Sequence, residues 1–177
     1  MHEAHAAFAR LNVAALWPGQ PQTLLTGQID VAPVSGPPAA WRVRGQIANA
    51  LPGPLDRQRL PVQRLQIDGV LEASRLNVTR LEADAAGGHV TLQGHWVGIG
   101  TANTTSLPTT GWQGTVTVSQ INPATVHSQV APAMLDGKLV ARAEPGAIVF
   151  DAQLQPAARQ PANSALQGLQ LTSAHVQ

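Results

Sequence analysis

A short pattern of alternating apolar and polar residues, each copy carrying a glycine, returns along most of the chain. Its clearest copies are Leu25–Val31, Trp41–Ile47, Leu65–Leu71, Val90–Trp96, Trp112–Val118 and Leu135–Ala141. Strict alternation has a period of two, so each copy predicts a strand with one apolar face and one wet face. A succession of such strands predicts one long, one-sided sheet. Because no long helical segments separate the strands, a parallel sheet with helical crossovers is disfavoured.

The glycines of these strands share the apolar phase of the alternation. They are Gly27, Gly45, Gly69, Gly94, Gly114 and Gly137. Glycine weakens a strand, and on the concave side of a curved sheet it relieves crowding and lets the strand bend. Repeated bending in one sense predicts an open trough. The alternative is a flat sandwich of two sheets with incidental bulges.

Turn signals divide the 177 residues into about nine strands with at most two short helices. The fold class predicted is therefore all-β, a curved, one-sided antiparallel sheet, with residues 1–177 forming a single segment. The glycine pair Gly87-Gly88 predicts a tight hairpin. So does the Glu144-Pro145-Gly146 sequence.

Two segments are candidates for the helices. Residues 3–16 are rich in alanine and predict a helix that ends before Pro18, although the alternation around Leu11 and Val13 also permits a strand. Asn122 is placed to cap a helix of one or two turns with Pro123 at its first position.

Composition excludes several classes of function. Net charge is +1, so there is no electrostatic footprint for nucleic acid. Cysteine is absent, which excludes disulfides, thiolate zinc sites and cysteine nucleophiles. The first residues lack the features of a signal peptide, and no apolar run approaches the ~18 residues of a membrane span. Aromatic residues make up 3% of the chain, fewer than a compact enzyme core of this length normally uses.

The polar residues form no recognisable catalytic constellation. His89 and His95 share the polar face of one predicted strand, and six residues of strand separate them by ~20 Å, too far for one metal ion. Nucleophile elbows, phosphate-binding glycine loops and paired zinc ligands are absent from the sequence. We therefore expect no enzyme, no cofactor and no metal, and a hydrolase is disfavoured. Asp56, beside Arg57 and Arg59, predicts either a turn cap among solvated arginines or a docking loop.

The apolar phase of the strands is the one constellation that persists. We take it as the candidate site, and its members are Ile29, Val31, Trp41, Val43, Ile47, Leu65, Ile67, Leu71, Val90, Leu92, Trp96, Trp112, Val116, Val118, Leu139, Ile148, Phe150 and Leu154. These side chains form either the packed core of a sandwich or the lining of an open groove. Sparse aromatic rings and the lack of helices to act as a lid favour the groove.

Four sequence segments, in this order, resemble segments of the TamB-like family of the translocation and assembly module. This family belongs to the AsmA-like, bridge-type lipid-transfer proteins. The four segments are residues 16–22 (LWPGQPQ), residues 53–62 (GPLDRQRLPV), residues 87–96 (GGHVTLQGHW) and residues 121–124 (INPA). The resemblance covers nearly the whole chain and rests on their combination with the glycine-containing strands. It implies a taco-like trough lined with apolar side chains, of which this chain is one segment.

The family resemblance also implies a function and a location. Proteins of this family span the periplasm of Gram-negative bacteria from an inner-membrane anchor to a TamA-type outer-membrane barrel. We therefore expect a groove for phospholipid acyl chains that supports lipid transport and outer-membrane biogenesis. The anchor and further repeats are not in this chain, so contact with the barrel would run through the remainder of such a protein. The alternative is a chaperone-like scaffold that pairs with the β-strands of outer-membrane proteins during their assembly or secretion.

Overall fold

A computed structural model describes residues 3–36, 38–97, 111–144, 147–158 and 174–176. Ten strands run through this part of the chain: β1 (Ala4–Leu11), β2 (Leu25–Val34), β3 (Ala40–Asn49), β4 (Val62–Glu72), β5 (Arg75–Ala85), β6 (Gly88–Val97), β7 (Trp112–Ile121), β8 (Leu135–Glu144), β9 (Ala147–Pro156) and β10 (Ala174–Val176). Two four-residue helices, α1 (Val13–Leu16) and α2 (Pro123–Val126), and a 3-10 turn at Leu55–Arg57 lie between them.

All ten strands belong to one antiparallel sheet, in the order in which they occur along the chain. The sheet is curled and does not close on itself. The predicted all-β fold class is thus confirmed, and the flat sandwich of two sheets is not what the chain forms. Each of the six glycine-containing sequence windows lies inside a strand.

The amino-terminal segment differs from its prediction as a helix. Residues 4–11 pair with β2 as a strand, and helix begins only at Val13, after Asn12. Alanine favours a helix, but pairing along β2 supplies the backbone hydrogen bonds of this segment instead. The alternative of a strand is confirmed as far as Leu11 but not at Val13, where α1 begins and the Asn12 side chain accepts from the Ala14 N–H at 3.2 Å.

The carboxyl-terminal helix follows its prediction. Asn122 caps α2 through its side chain, which accepts from the Ala124 N–H at 3.1 Å, and Pro123 occupies the first turn. The hairpin between β5 and β6 is also present, but its two turn residues are Ala86 and Gly87, both with positive φ, and Gly88 begins β6. The 145–146 turn lies outside the described residues, between β8 and β9.

The chain contains a structural repeat that its sequence only faintly indicates. The β1–α1–β2 unit and the β7–α2–β8 unit have the same local structure, with Asn12 and Asn122 at equivalent capping positions. The residues two positions before these caps, Arg10 and Gln120, both have φ of 55° and mark a register shift in their strands. Both units therefore combine a strand irregularity with an asparagine that caps a short helix.

The long connections of the described chain lie along one rim of the sheet. This linker rim comprises residues 12–24, 50–61 and 122–134, with the β5–β6 turn between the last two. The opposite rim, here the turn rim, carries the short 73–74 turn and the β2–β3 connection at 35–39. The two rims bound the candidate site on either side.

Candidate functional site

The strand register places the predicted site residues on a single face of the sheet. Trp41 lies opposite Leu71, Ile47 opposite Leu65, Leu92 opposite Val116, and Leu139 opposite Ala152. The same alternation places the other predicted residues on this face, from β2 through β9. Ile148 is assigned to it by its pairing with Ala143. We call this surface the apolar face. It holds all six glycines that share the predicted apolar phase, including the pair Gly94 and Gly114.

This face contains residues that the alternation missed. β5 contributes Leu76, Val78, Leu81 and Ala83, which pair with Leu71, Gly69, Ile67 and Leu65 respectively. Register shifts around Thr79 and Arg80 insert an extra residue, so the apolar positions of β5 are not all two apart. β1 adds Phe8, which lies opposite Gly27. A search that allowed one bulge in the 75–85 segment would have found the β5 positions.

The apolar face is not covered by any other layer of the described chain. Apart from Ile148, its Leu, Ile, Val, Trp and Phe side chains are half-buried, with two exceptions: Val78 is buried, and Leu154 is 38% exposed. Among the described residues no large side chain is fully buried, and the buried apolar residues are Val78 and five alanines. The sheet therefore lacks the close-packed core that a sandwich would have.

Glycines on this face stand where neighbouring strands approach closely. A Cβ on Gly94 would lie 2.4 Å from the carbonyl oxygen of Gln113, and one on Gly69 would lie 2.7 Å from that of Asn77. A Cβ on Gly137 would lie 2.3 Å from the carbonyl oxygen of Gln153. The neighbouring backbone occupies the space that a side chain would need on the apolar side, as expected where a sheet curls toward that side.

The opposite face carries a ladder of charged and amide side chains. Asp68 accepts two hydrogen bonds from Arg42, at 3.0 and 2.7 Å, and lies 3.5 Å from Arg44. The hydrogen bonds from Arg42 hold the pKa of the Asp68 carboxyl below its usual value and raise the pKa of the guanidinium. Because these groups lie at the surface, their pairing contributes little to stability. Their charges make this face hydrophilic.

A shallow depression of about 480 Å³ lies on that polar face, around Gln28, Arg44 and Gln66. Its charged walls are engaged with each other, Arg80 with Glu82 and Arg44 with Asp68. We assign no ligand to it.

Two histidines of the polar face lie beside carboxylates. His89 Nδ1 lies 3.3 Å from Asp84, and His5 Nδ1 lies 2.5 Å from Asp30. In the described ranges no group of three or more His, Asp or Glu side chains is arranged to hold a metal ion.

The linker rim is held together by side chains that bond to backbone. Asn49 accepts from the N–H groups of Leu24 and Leu51, and donates to the Val62 carbonyl, each at 3.1 Å. Asp56 accepts hydrogen bonds from Ser128, which lies on another linker. These hydrogen bonds, led by the one from the Ser128 side chain, lower the pKa of Asp56.

Four large apolar side chains are exposed on these linkers. They are Leu16, Trp17, Leu55 and Val130, with Trp17 the most exposed at 61%. Nothing in the described chain covers them. No helix in that part of the chain is long and apolar enough to cross a membrane.

Comparison with protein-family models, with curated proteins and with solved structures finds no match to this chain. The fold and the apolar face are therefore the basis on which a function can be argued.

Proposed function

We propose that the apolar face is a conduit for lipid acyl chains, and that the protein is a non-enzymatic segment of a TamB-like, periplasm-spanning transporter of phospholipid. The observation that supports this most directly is the apolar face, which runs from β2 to β9 and has no second layer over it among the described residues. Contiguous exposed apolar surface on this scale is typical of sites that bind lipid, membrane or another protein.

The energetics suit transport better than storage. Burial of an acyl chain is worth about 0.8 kcal/mol per CH₂. A groove that covers half of a chain of about 16 carbons would offset roughly 6 kcal/mol of its cost in water. That is enough to guide a lipid and too little to trap it.

The length of the trough limits what this segment can do. Adjacent strands lie about 4.8 Å apart, so ten strands give a trough of roughly 45 Å. Such a trough supplies a length of channel and does not bridge two membranes by itself. In the proposed protein, the inner-membrane anchor and the contact with a TamA-type outer-membrane barrel lie on the remainder of the polypeptide.

Site-specific photocrosslinking tests the conduit. Crosslinkers at Ile67, Leu92 and Val116 face the apolar side, and a matched crosslinker at Gln93 faces the polar side. The conduit predicts phospholipid adducts at the first three positions and none at Gln93. Equal lipid labelling at all four positions, or none at any, would reject it.

One observation favours a scaffold as the second candidate. β1 has β2 on one side and no strand among the described residues on the other, so its outer edge offers backbone groups for strand addition. If the apolar face crosslinks only to β-barrel client proteins, and the β1 edge does likewise, the scaffold replaces the conduit.

A further inference from the structure

Three of the four tryptophans of the chain lie in one continuous row of the apolar face. Cross-strand pairs run from Trp41 to Leu71, then to Leu76, Trp96 and Trp112, through the five strands β3 to β7. We call these five residues the tryptophan row. The rings of Trp96 and Trp112 stack with centroids 6.0 Å apart and planes 15° from parallel.

The tryptophan row is the last row of the apolar face before the turn rim. Trp41 is the second residue of β3, Trp96 the second-last of β6 and Trp112 the first of β7. All three are half-buried, so each ring has an apolar side and a wet side. Toward the linker rim, the pairs Ile67 with Leu81 and Leu92 with Val116 are purely aliphatic.

A line of three glycines and Val78 separates the tryptophan row from those aliphatic rows. Gly69, Val78, Gly94 and Gly114 are neighbours across β4 to β7. At Gly69 and Gly94 the neighbouring backbone occupies the space that a side chain would need. The rings therefore stand on one side of this line, and the aliphatic side chains stand on the other.

Around β4, whose connections at both ends are described, the two rims also differ in what surrounds them. The linker rim is occupied by connections of 12 or 13 residues that are hydrogen-bonded to one another, as in the Gln22 N–H to Gln58 carbonyl bond at 2.7 Å. In the described chain, the turn rim between β4 and β5 is closed by two residues only.

We propose that the tryptophan row marks the headgroup side of the groove: a bound diacyl phospholipid lies with its glycerol ester and phosphate region at the turn rim and its acyl chains toward the linker rim. This inference rests on the proposed lipid conduit. Tryptophan prefers the boundary between hydrocarbon and water, where its ring is in apolar surroundings and its N–H reaches a polar partner.

Fluorescence quenching by brominated phosphatidylcholine measures this orientation. The Trp17→Phe variant leaves the three tryptophans of the row as the only reporters, since Trp17 lies in an exposed linker. Complexes are formed with two lipids, one brominated near the ester end of its chains and one near the methyl end, and lipid phosphorus in each complex is measured separately. We expect greater quenching by the bromine near the ester.

A second reporter provides the matched comparison. Trp17, Trp41, Trp96 and Trp112 are changed to Phe and Val118→Trp is added, which moves the reporter to a row near the linker rim, opposite Val90. The order of quenching should then reverse. If bound lipid quenches Trp17→Phe equally with both bromines, or more with the one near the methyl end, the orientation is wrong although the conduit stands. If no lipid binds, the conduit itself fails.

Discussion

Ser128 donates its backbone N–H to the Asp56 carboxylate at 2.9 Å, and its hydroxyl donates to the other oxygen of the same carboxylate, across 72 positions of sequence. This pair joins the linker between β3 and β4 to the linker between β7 and β8. Between them lies the β5–β6 turn, whose Ala86 carbonyl accepts from the Asn122 N–H at 2.8 Å. The linker rim is thus a connected structure spanning several strands.

The Asp56–Ser128 pair should make the linker rim sensitive to acid. The pKa of Asp56 is lowered from an ordinary value of 3.8, so its stabilising contribution is fully present above that pH and is lost as pH falls through the lower, folded-state pKa. Asp56→Asn should therefore lower thermal stability slightly at neutral pH, match the parent once Asp56 is protonated, and so flatten the acid limb below pH 4. Melting curves at several pH values measure this.

Ser128→Ala provides the control for that change, because it removes one of the two donors to the same carboxylate. Combined with Asp56→Asn, it should add less than its separate effect. Additive effects, or an unchanged acid limb in Asp56→Asn, would show that the pair does not couple the linkers.

A charge placed on the apolar face should affect lipid binding more than folding. Leu92 is half-buried, so Leu92→Glu should cost about 1 kcal/mol of lost burial while the carboxylate stays hydrated in an open groove. Lipid binding should be lost, because an acyl chain would strip water from an unpaired charge. Thermal melting and bound lipid phosphorus are measured on the same samples.

Gln93→Glu is the matched control for Leu92→Glu, since Gln93 is exposed on the polar face of the same strand. Thr91 serves less well, because it lies opposite Glu82 and a glutamate there would add like-charge repulsion. Gln93→Glu should fold and bind lipid normally. Outright unfolding of Leu92→Glu would instead mean that the apolar face is a sealed core.

Two neighbouring glycines should respond differently to the same added methyl group. A Cβ on Gly94 would lie 2.4 Å from the Gln113 carbonyl oxygen and 2.9 Å from the Gly114 Cα, whereas a Cβ on Gly114 would find only the Gln93 carbonyl oxygen, at 3.6 Å. Gly94→Ala should therefore destabilise the sheet by about 1–3 kcal/mol. Gly114→Ala should stay within about 0.5 kcal/mol of the parent. Equal melting temperatures for the two variants would contradict the close strand approach.

The two capping asparagines should be equivalent in stability. Asn12 accepts from the N–H groups of Ala14 and Thr23, and Asn122 accepts from those of Ala124 and Ala133. Either Asn→Ala change should cost about 1 kcal/mol, and Asn→Asp, which retains the acceptor oxygen, should recover most of it. Chemical denaturation of the four variants tests this, and a silent Asn122→Ala would refute the capping role.

Alternation and glycine phase were sufficient to predict the sheet and the side of it that is apolar. They work because a period of two is set by backbone geometry alone, as in Trp112–Val118. The apolar positions of β5 were not predicted, because a bulge at Thr79 and Arg80 changes the parity of Leu76 relative to Leu81. The misassignment of residues 4–11 has another cause, since local alanine propensity was overridden by pairing with a strand that follows a long linker.

The contacts between distant parts of the chain could not be predicted from the sequence. The alignment of Trp41 with Trp96 and Trp112 depends on the register of five strands, and two shifts in that register lie between them. The bond from Ser128 to Asp56 likewise requires knowing that both linkers leave the same rim. The identification of the apolar face as a lipid groove remains a proposal.

Each strand lies beside the strands that precede and follow it along the chain. This order affects how the sheet folds and unfolds. Pairings between consecutive segments close short loops and need no distant partner, so the sheet can assemble progressively from its amino-terminal end. Its free energy is then close to a sum of nearest-neighbour terms, as in linear repeat arrays. Damage at one strand pair should loosen that junction and leave the flanking strands folded, so unfolding should be gradual rather than all-or-none.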